Sequence, residues 1–146
     1  MTTESYTFRL KPGQDLFEEI EKNVNGHHIL AGCVICAVGS LTHATLRLAN
    51  RDYYNEYEGH FEIVSLTGTV STNGSHLHIS ISDGDGLTTG GHLVHGCKIY
   101  TTAEIILLTF PQLDYRREPC EMSGYDELVV YSKLLDRVEI KGDGNL

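Results

Sequence analysis

The chain reads as an α+β domain: a twisted, largely antiparallel β-sheet packed against one flanking α-helix. Three observations in its 146 residues predict this. Apolar residues recur at alternate positions or in runs of strand length along most of the chain. A single stretch, just after the first strand, has helical spacing and a cap. The connections between strands are mostly too short for helical crossovers, which favours antiparallel neighbours.

In ESYTFRL, residues 4 to 10, Tyr6, Phe8 and Leu10 alternate with polar residues, predicting a first strand with one buried face, which Pro12-Gly13 ends. Asp15 and Glu18 have capping-box spacing, and Leu16, Ile20 and Val24 follow at four-residue intervals before Gly26. That predicts a helix of about three turns whose Glu18, Glu19, Glu21 and Lys22 side faces solvent. Ile29 to Val38 is a near-continuous apolar run suited to a central strand. Gly39-Ser40 should interrupt it, with Leu41 to Ala49 forming a separate strand. Asn50-Arg51-Asp52 then opens a polar connection carrying Tyr53, Tyr54 and Tyr57, candidates to line a cleft or an interface. FEIVSLTGTV, residues 61 to 70, is a further strand, with Gly68 marking a bulge or a close approach.

The chemistry concentrates in SHLHISISDGDGLTTGGHLVHG, Ser75 to Gly96. Alternation from Gly74 sends His76, His78, Ser80 and Ser82 to one side of a strand and Leu77, Ile79 and Ile81 to the other. Asp83-Gly84-Asp85-Gly86 reverses the chain, and Gly90-Gly91-His92 opens a returning strand that brings His92 beside the first two histidines. Three histidines from two neighbouring strands form an open metal site, with three protein ligands and a position left for water or substrate. The competing reading is a polar sheet face on which histidines are mere residents, since eight occur in the chain. His95 should face away from His92.

The return strand is expected to run on to Phe110, apolar except for Glu104, a carboxylate either at a solvent-facing strand end or partnering a functional group. Pro111 to Gly124 reads as a charged loop, Asp126 to Leu135 as a closing strand or short helix, and KGDGNL as a tail. The expected division is a single domain over residues 1–136 with a C-terminal tail over 137–146.

Composition restricts partners and compartment. Twenty acidic against eleven basic residues give a formal charge of −9, which disfavours nucleic acid because phosphate neutralisation needs concentrated Lys and Arg. Arg47, Arg51, Arg116 and Arg117 each have an acidic residue nearby and read as ordinary solvated arginines. No apolar run is long enough for a membrane span, and the N-terminus lacks the charged and apolar regions of a secretion signal, so a cytoplasmic protein is expected. Cys33 and Cys36, three apart in a strand-like run, should be packing residues rather than a redox pair; Cys97 and Cys120 are singletons of the same kind.

AVGSLTHATLRL at Ala37 to Leu48, GHFEIVSLTGTVS at Gly59 to Ser71, HLHISISD from His76 and GGHLVHGCKIYTTAEIILLTF from Gly90 resemble, in order, the signature blocks of the plants and prokaryotes conserved (PPC) domain. The resemblance runs from about Tyr6 to about Leu135. It implies an antiparallel α+β fold and, for bacterial members, a homotrimer. Plant members carry a basic AT-hook before the domain and act as nuclear DNA-binding regulators; no such hook lies in this sequence. HLHISISDGDGLTTGGHL is also similar to the zinc segment of α-acetolactate decarboxylases, which implies zinc ligands at His76, His78 and His92. The decarboxylases' other catalytic residues have no counterpart here.

Two functions compete. One is a zinc-dependent site at His76, His78 and His92 serving an unnamed small-molecule ligand, with Asp83, Glu104 or the tyrosines as supporting groups. The other is a non-enzymatic regulatory module that binds protein or DNA, with Gly59 to Leu66 as its contact surface. Elemental analysis discriminates between them.

Overall fold

The computed structural model describes residues 2–133 and 138–140. Among these residues nine strands and one helix follow in the order β1 (Glu4–Leu10), α1 (Leu16–Gly26), β2 (Gly32–Arg47), β3 (Tyr54–Val70), β4 (His76–Ser82), β5 (Thr88–Leu93), β6 (Lys98–Thr109), β7 (Leu113–Pro119), β8 (Asp126–Ser132) and β9 (Val138–Glu139). The expected class holds. Six strands form one antiparallel sheet in the order β1-β6-β2-β3-β4-β5, and the outer strand β5 pairs again with β2. That second pairing closes β2 to β5 into a ring, which removes an exposed edge.

The helix forms where its cap and spacing place it. Asp15 accepts from the Glu18 amide at 3.2 Å, and Leu16, Ile20 and Val24 are fully enclosed. Burying each such side chain is worth about 1.5–3 kcal/mol. Asp15 does more than cap: its other oxygen accepts from the Gly96 amide at 2.7 Å and from Lys98 Nζ at 3.3 Å. One buried carboxylate thus ties the helix to the β5–β6 connection. The core continues through Leu41, Leu46, Leu77, Ile81, Leu93, Ile99, Ile105 and Leu107, all at most 1% exposed.

Four expectations need correction. Gly39-Ser40 does not end a strand; β2 passes through it as one long element, absorbing the irregularity as register shifts against β3 and β6. The tyrosine-rich connection is shorter than expected, because Tyr54 and Tyr57 already belong to β3. The return from Gly90 to Phe110 is two strands, β5 and β6, separated at residues 94–97. The supposed charged loop contains β7, paired with β8 and β9 in a second, three-stranded sheet. In β7 Asp114 is buried and Arg116, Arg117 and Glu118 are half-buried, so charge sits on both faces and the strand gives little period-two hydrophobic signal.

Asp126 to Leu135 is a strand as far as Ser132; Leu134 and Leu135 lie outside the described residues. Of the expected tail, Val138–Glu139 pairs with β8 and Ile140 is also described, while 137 and 141–146 lie outside the described residues. All four cysteines are free; Cys97 is buried as expected, but Cys36 is exposed, not packed. No helix among the described residues is long and apolar enough to cross a membrane.

Candidate functional site

The alternation in β4 falls as its sequence dictates: Leu77, Ile79 and Ile81 point into the core, while His76 and His78 stand on the outer face. β5 then lies beside β4 with His92 directly opposite His78. Close approach makes this possible. A Cβ on Gly90 would stand 2.5 Å from the Ile79 carbonyl oxygen, and one on Gly91 2.8 Å from that of Arg47, so glycines let β5 fit between β4 and β2. On the far side of β4, Gly68 passes against the His76 carbonyl, the close approach expected there.

The three imidazoles converge. His76 Nε2 and His78 Nε2 are 3.1 Å apart, and one nitrogen from each of the three rings lies within 4.8 Å of the others. Ring centroids are separated by 4.9, 5.0 and 5.6 Å. Around a tetrahedral zinc with Zn–N of about 2.0–2.1 Å, ligand nitrogens sit roughly 3.3–3.4 Å apart, so small ring rotations would bring all three onto one ion. His92 Nδ1 is enclosed and has no hydrogen-bond partner among the described residues. Leaving such an atom unsatisfied costs about 1–3 kcal/mol, a cost that coordination or an incoming donor relieves. The donor set is therefore chemically and geometrically compatible with a bound divalent ion.

Electrostatics favours the ligating, neutral form of His76 and His92. Burial holds the His92 pKa down at about 4, helped by the positive charge that His76, Arg47, His78 and Arg117 would present to a protonated ring. His76 is lowered for the same reasons, burial first, then His78 and Arg117, against a smaller opposing effect of Glu127. Neutral imidazoles at neutral pH need lose no proton to bind metal.

His76 and His92 lie at a cavity of about 1000 Å³ between the outer face of the large sheet and the β7–β8 hairpin. The hairpin is fixed by Asn73, whose side chain donates to Asp114 Oδ1 at 3.0 Å and to the Tyr115 carbonyl at 2.9 Å, and by Ser71 Oγ, which donates to the same carbonyl at 3.0 Å. His76 and His92 share the cavity wall with Ser75, Arg47, Arg51 and Arg117, and with Asp52, Asp126 and Glu127.

Other expected participants lie elsewhere. Asp83 folds its own turn, accepting from the Asp85 and Leu87 amides at 3.0 and 2.9 Å. Glu104 faces solvent from the middle of β6, not from a strand end, opposite Arg9 and Val38. Tyr53 and Tyr54 are exposed and Tyr57 packs on the core; Tyr125 is the cavity's tyrosine. His95 turns away and packs edge-on against Phe17, centroids 4.9 Å apart. In the Gly59 to Leu66 stretch, Ile63 and Leu66 are core while Val64 is 57% exposed.

Sequence reading missed Arg47 and Arg117. It treated them as solvated, yet both are half-buried at the cavity. Arg51 is exposed as expected, and Arg116 pairs with Asp114 at 3.1 Å. Nothing local marks Arg47 out, because its place follows from the pairing of β2 with β5.

The chain has clear relatives. A bifunctional GlmU protein of Synechococcus sp. is 46% identical over 123 residues, 84% of this chain and 20% of that protein, so the chain spans about a fifth of the length of the curated relatives it matches. A solved hypothetical protein from Salmonella superposes with TM-score 0.89 and 39% identity, covering 90% of this chain and 96% of that one. The metal-containing protein AF0104 of Archaeoglobus fulgidus follows at TM-score 0.73 and 26% identity, covering 86% and 92%. Likeness to the α-acetolactate decarboxylase of Bacillus subtilis amounts to a TM-score of 0.44, and nothing of that enzyme's reaction is carried over. The model of the Plants and Prokaryotes Conserved (PCC) domain matches residues 2–111, the span that holds the large sheet, the helix and all three clustered histidines, and the chain belongs to that family.

Proposed function

We propose that this protein is a homotrimeric PCC-domain protein that holds zinc through His76, His78 and His92 and receives a small molecule in the cavity beside them. The convergence of three imidazole nitrogens within 4.8 Å carries the reading. The metal-containing relative from Archaeoglobus fulgidus supports it. A zinc ion held this way would act as a Lewis acid and could lower the pKa of bound water to about 7. The chain's own residues do the rest. Burial and neighbouring arginines keep His76 and His92 neutral, and Gly90-Gly91 fixes the distance between β4 and β5.

The trimer accounts for apolar side chains left open on β2, β3 and β6: Ile35, Val38, Val64 and Tyr100 are 44–57% exposed. Subunit contacts would remove that surface from water. Four free cysteines suit the reducing cytoplasm.

DNA binding, which some solved proteins of this fold carry in their names, has less support here. The formal charge is −9, and the cavity's three arginines face three carboxylates. Elemental analysis of the purified protein tests the reading: about one zinc per chain, absent in His78→Ala, is the expected result. Wild type without metal after zinc supplementation would refute it.

A further inference from the structure

We propose that the cavity beside the histidines binds a small hydroxylated organic acid, with its single carboxylate held by Arg47 and Arg117 and its hydroxyls by Asp126 and Glu127. The inference deepens the proposed function, resting on its reading of this face as the working surface of the protein.

Strand register supplies the first argument. Thr67 pairs with His78, His78 with His92, and His92 with Arg47, so four strands place these residues in one row across the sheet. Directly paired residues share a face. Arg47 therefore stands next to the histidines on their own side. A guanidinium carries five N–H donors and no acceptor. The guanidinium of Arg47 has no hydrogen-bond or ion-pair partner among the described residues, although the residue is half-buried. Such a group is built to meet an acceptor that arrives from outside.

Arg117 approaches from the opposite side. Its β7 strand is tied down by Asn73 and Ser71, and its Nη2 donates to Thr69 Oγ1 at 2.7 Å, where Thr69 is the register partner of His76. That bond fixes the side chain and leaves its other donors free among the described residues. Arg47 from β2 and Arg117 from β7 both line the cavity that His76 and His92 border. Two forked donors converging there match a carboxylate.

The remaining wall narrows the class. Arg47, Arg51 and Arg117 are balanced by Asp52, Asp126 and Glu127. A dianionic phosphate would be repelled by those carboxylates, whereas hydroxyl groups can donate to them. A volume of about 1000 Å³ admits a molecule of this size.

The test is calorimetric titration of the full chain, zinc-loaded and metal-free, with D-gluconate and D-glycerate, using sorbitol and inorganic phosphate as comparisons. Saturable binding of at least one acid at one per chain is expected, with sorbitol and phosphate at least tenfold weaker. Arg47→Gln and Arg117→Gln should each weaken it at least tenfold while melting like wild type, and Arg47→Lys should recover part of the loss. If either Gln variant does not fold, the other and the Lys variant carry the test. Neither acid binding in either form, or binding unchanged in the folded arginine variants, would overturn the inference. So would phosphate binding more tightly than both acids. Zinc uptake measured alongside separates the two proposals. A chain that takes up zinc but no acid refutes this one alone, and arginine-dependent acid binding in a chain that never takes up zinc refutes the metal reading alone.

Discussion

His92 stands directly opposite His78 across the β4–β5 pair and directly opposite Arg47 across the β5–β2 pair. One residue thus links the histidine cluster to the charged wall of the cavity, and its strand is held on both sides. Its burial has a thermodynamic consequence.

In the metal-free protein the folded-state pKa of His92 is about 4, below the value near 6.5 of an unperturbed imidazole. Between these values the unfolded chain binds more protons, so the stability contributed by neutral His92 is complete above about pH 6.5 and is lost as pH falls toward 4. His76, lowered in the same direction, adds to the effect. Urea midpoints of the chelated protein should therefore fall between pH 7 and pH 5. His92→Gln should show a shallower decline; an identical one would contradict the burial argument.

Asp15→Ala should destabilise by about 2 kcal/mol or more. It removes a helix cap, ordinarily worth 0.5–2 kcal/mol, and strands the Gly96 amide and Lys98. Lys22→Ala, which breaks exposed pairs with Glu18 and Glu19, should leave the unfolding midpoint almost unchanged. Comparable unfolding midpoints for the two variants would refute the role given to Asp15.

Gly91→Ala should weaken zinc binding about tenfold, an effect of the size seen when groups that support a metal ligand are disturbed. The added Cβ would meet the Arg47 carbonyl oxygen at 2.8 Å, so β5 must move away from β2 and carry His92 with it. Gly84→Ala, in open space, is the control. Competition with a colorimetric chelator measures both; equal affinities would contradict the argument.

Light scattering should give three times the chain mass of 16.2 kDa. Replacing Val38 and Val64 with Asp should shift the species to monomer, because two charges would enter a buried contact. A monomeric wild type at micromolar concentration would remove the trimer.

Much of this was legible in the sequence, for reasons that differ by element. β4 announced itself because its inward positions are Leu77, Ile79 and Ile81 and its outward ones histidine and serine, a period of two that needs no tertiary knowledge. His92 could be placed because Gly90-Gly91 signals a close approach. The helix was legible from Asp15 and its spacing, but not the bond from Asp15 to Gly96, which joins residues far apart in the chain. Arg47 and Arg117 were read as solvated for the same reason. Which face a strand-end arginine shares depends on register across β2 and β5, and on a β7–β8 hairpin in which charge on both faces of β7 conceals its alternation.

If His76, His78 and His92 act together on one ion, cobalt(II) titration of the metal-free protein will show it. Cobalt bound by three imidazoles with an open fourth position should give intense visible d–d absorption that saturates at one equivalent per chain, is displaced by zinc, and is absent in His76→Ala and His92→Ala. A weak spectrum like that of cobalt in buffer, with no break at one equivalent or no difference between wild type and the variants, would contradict it.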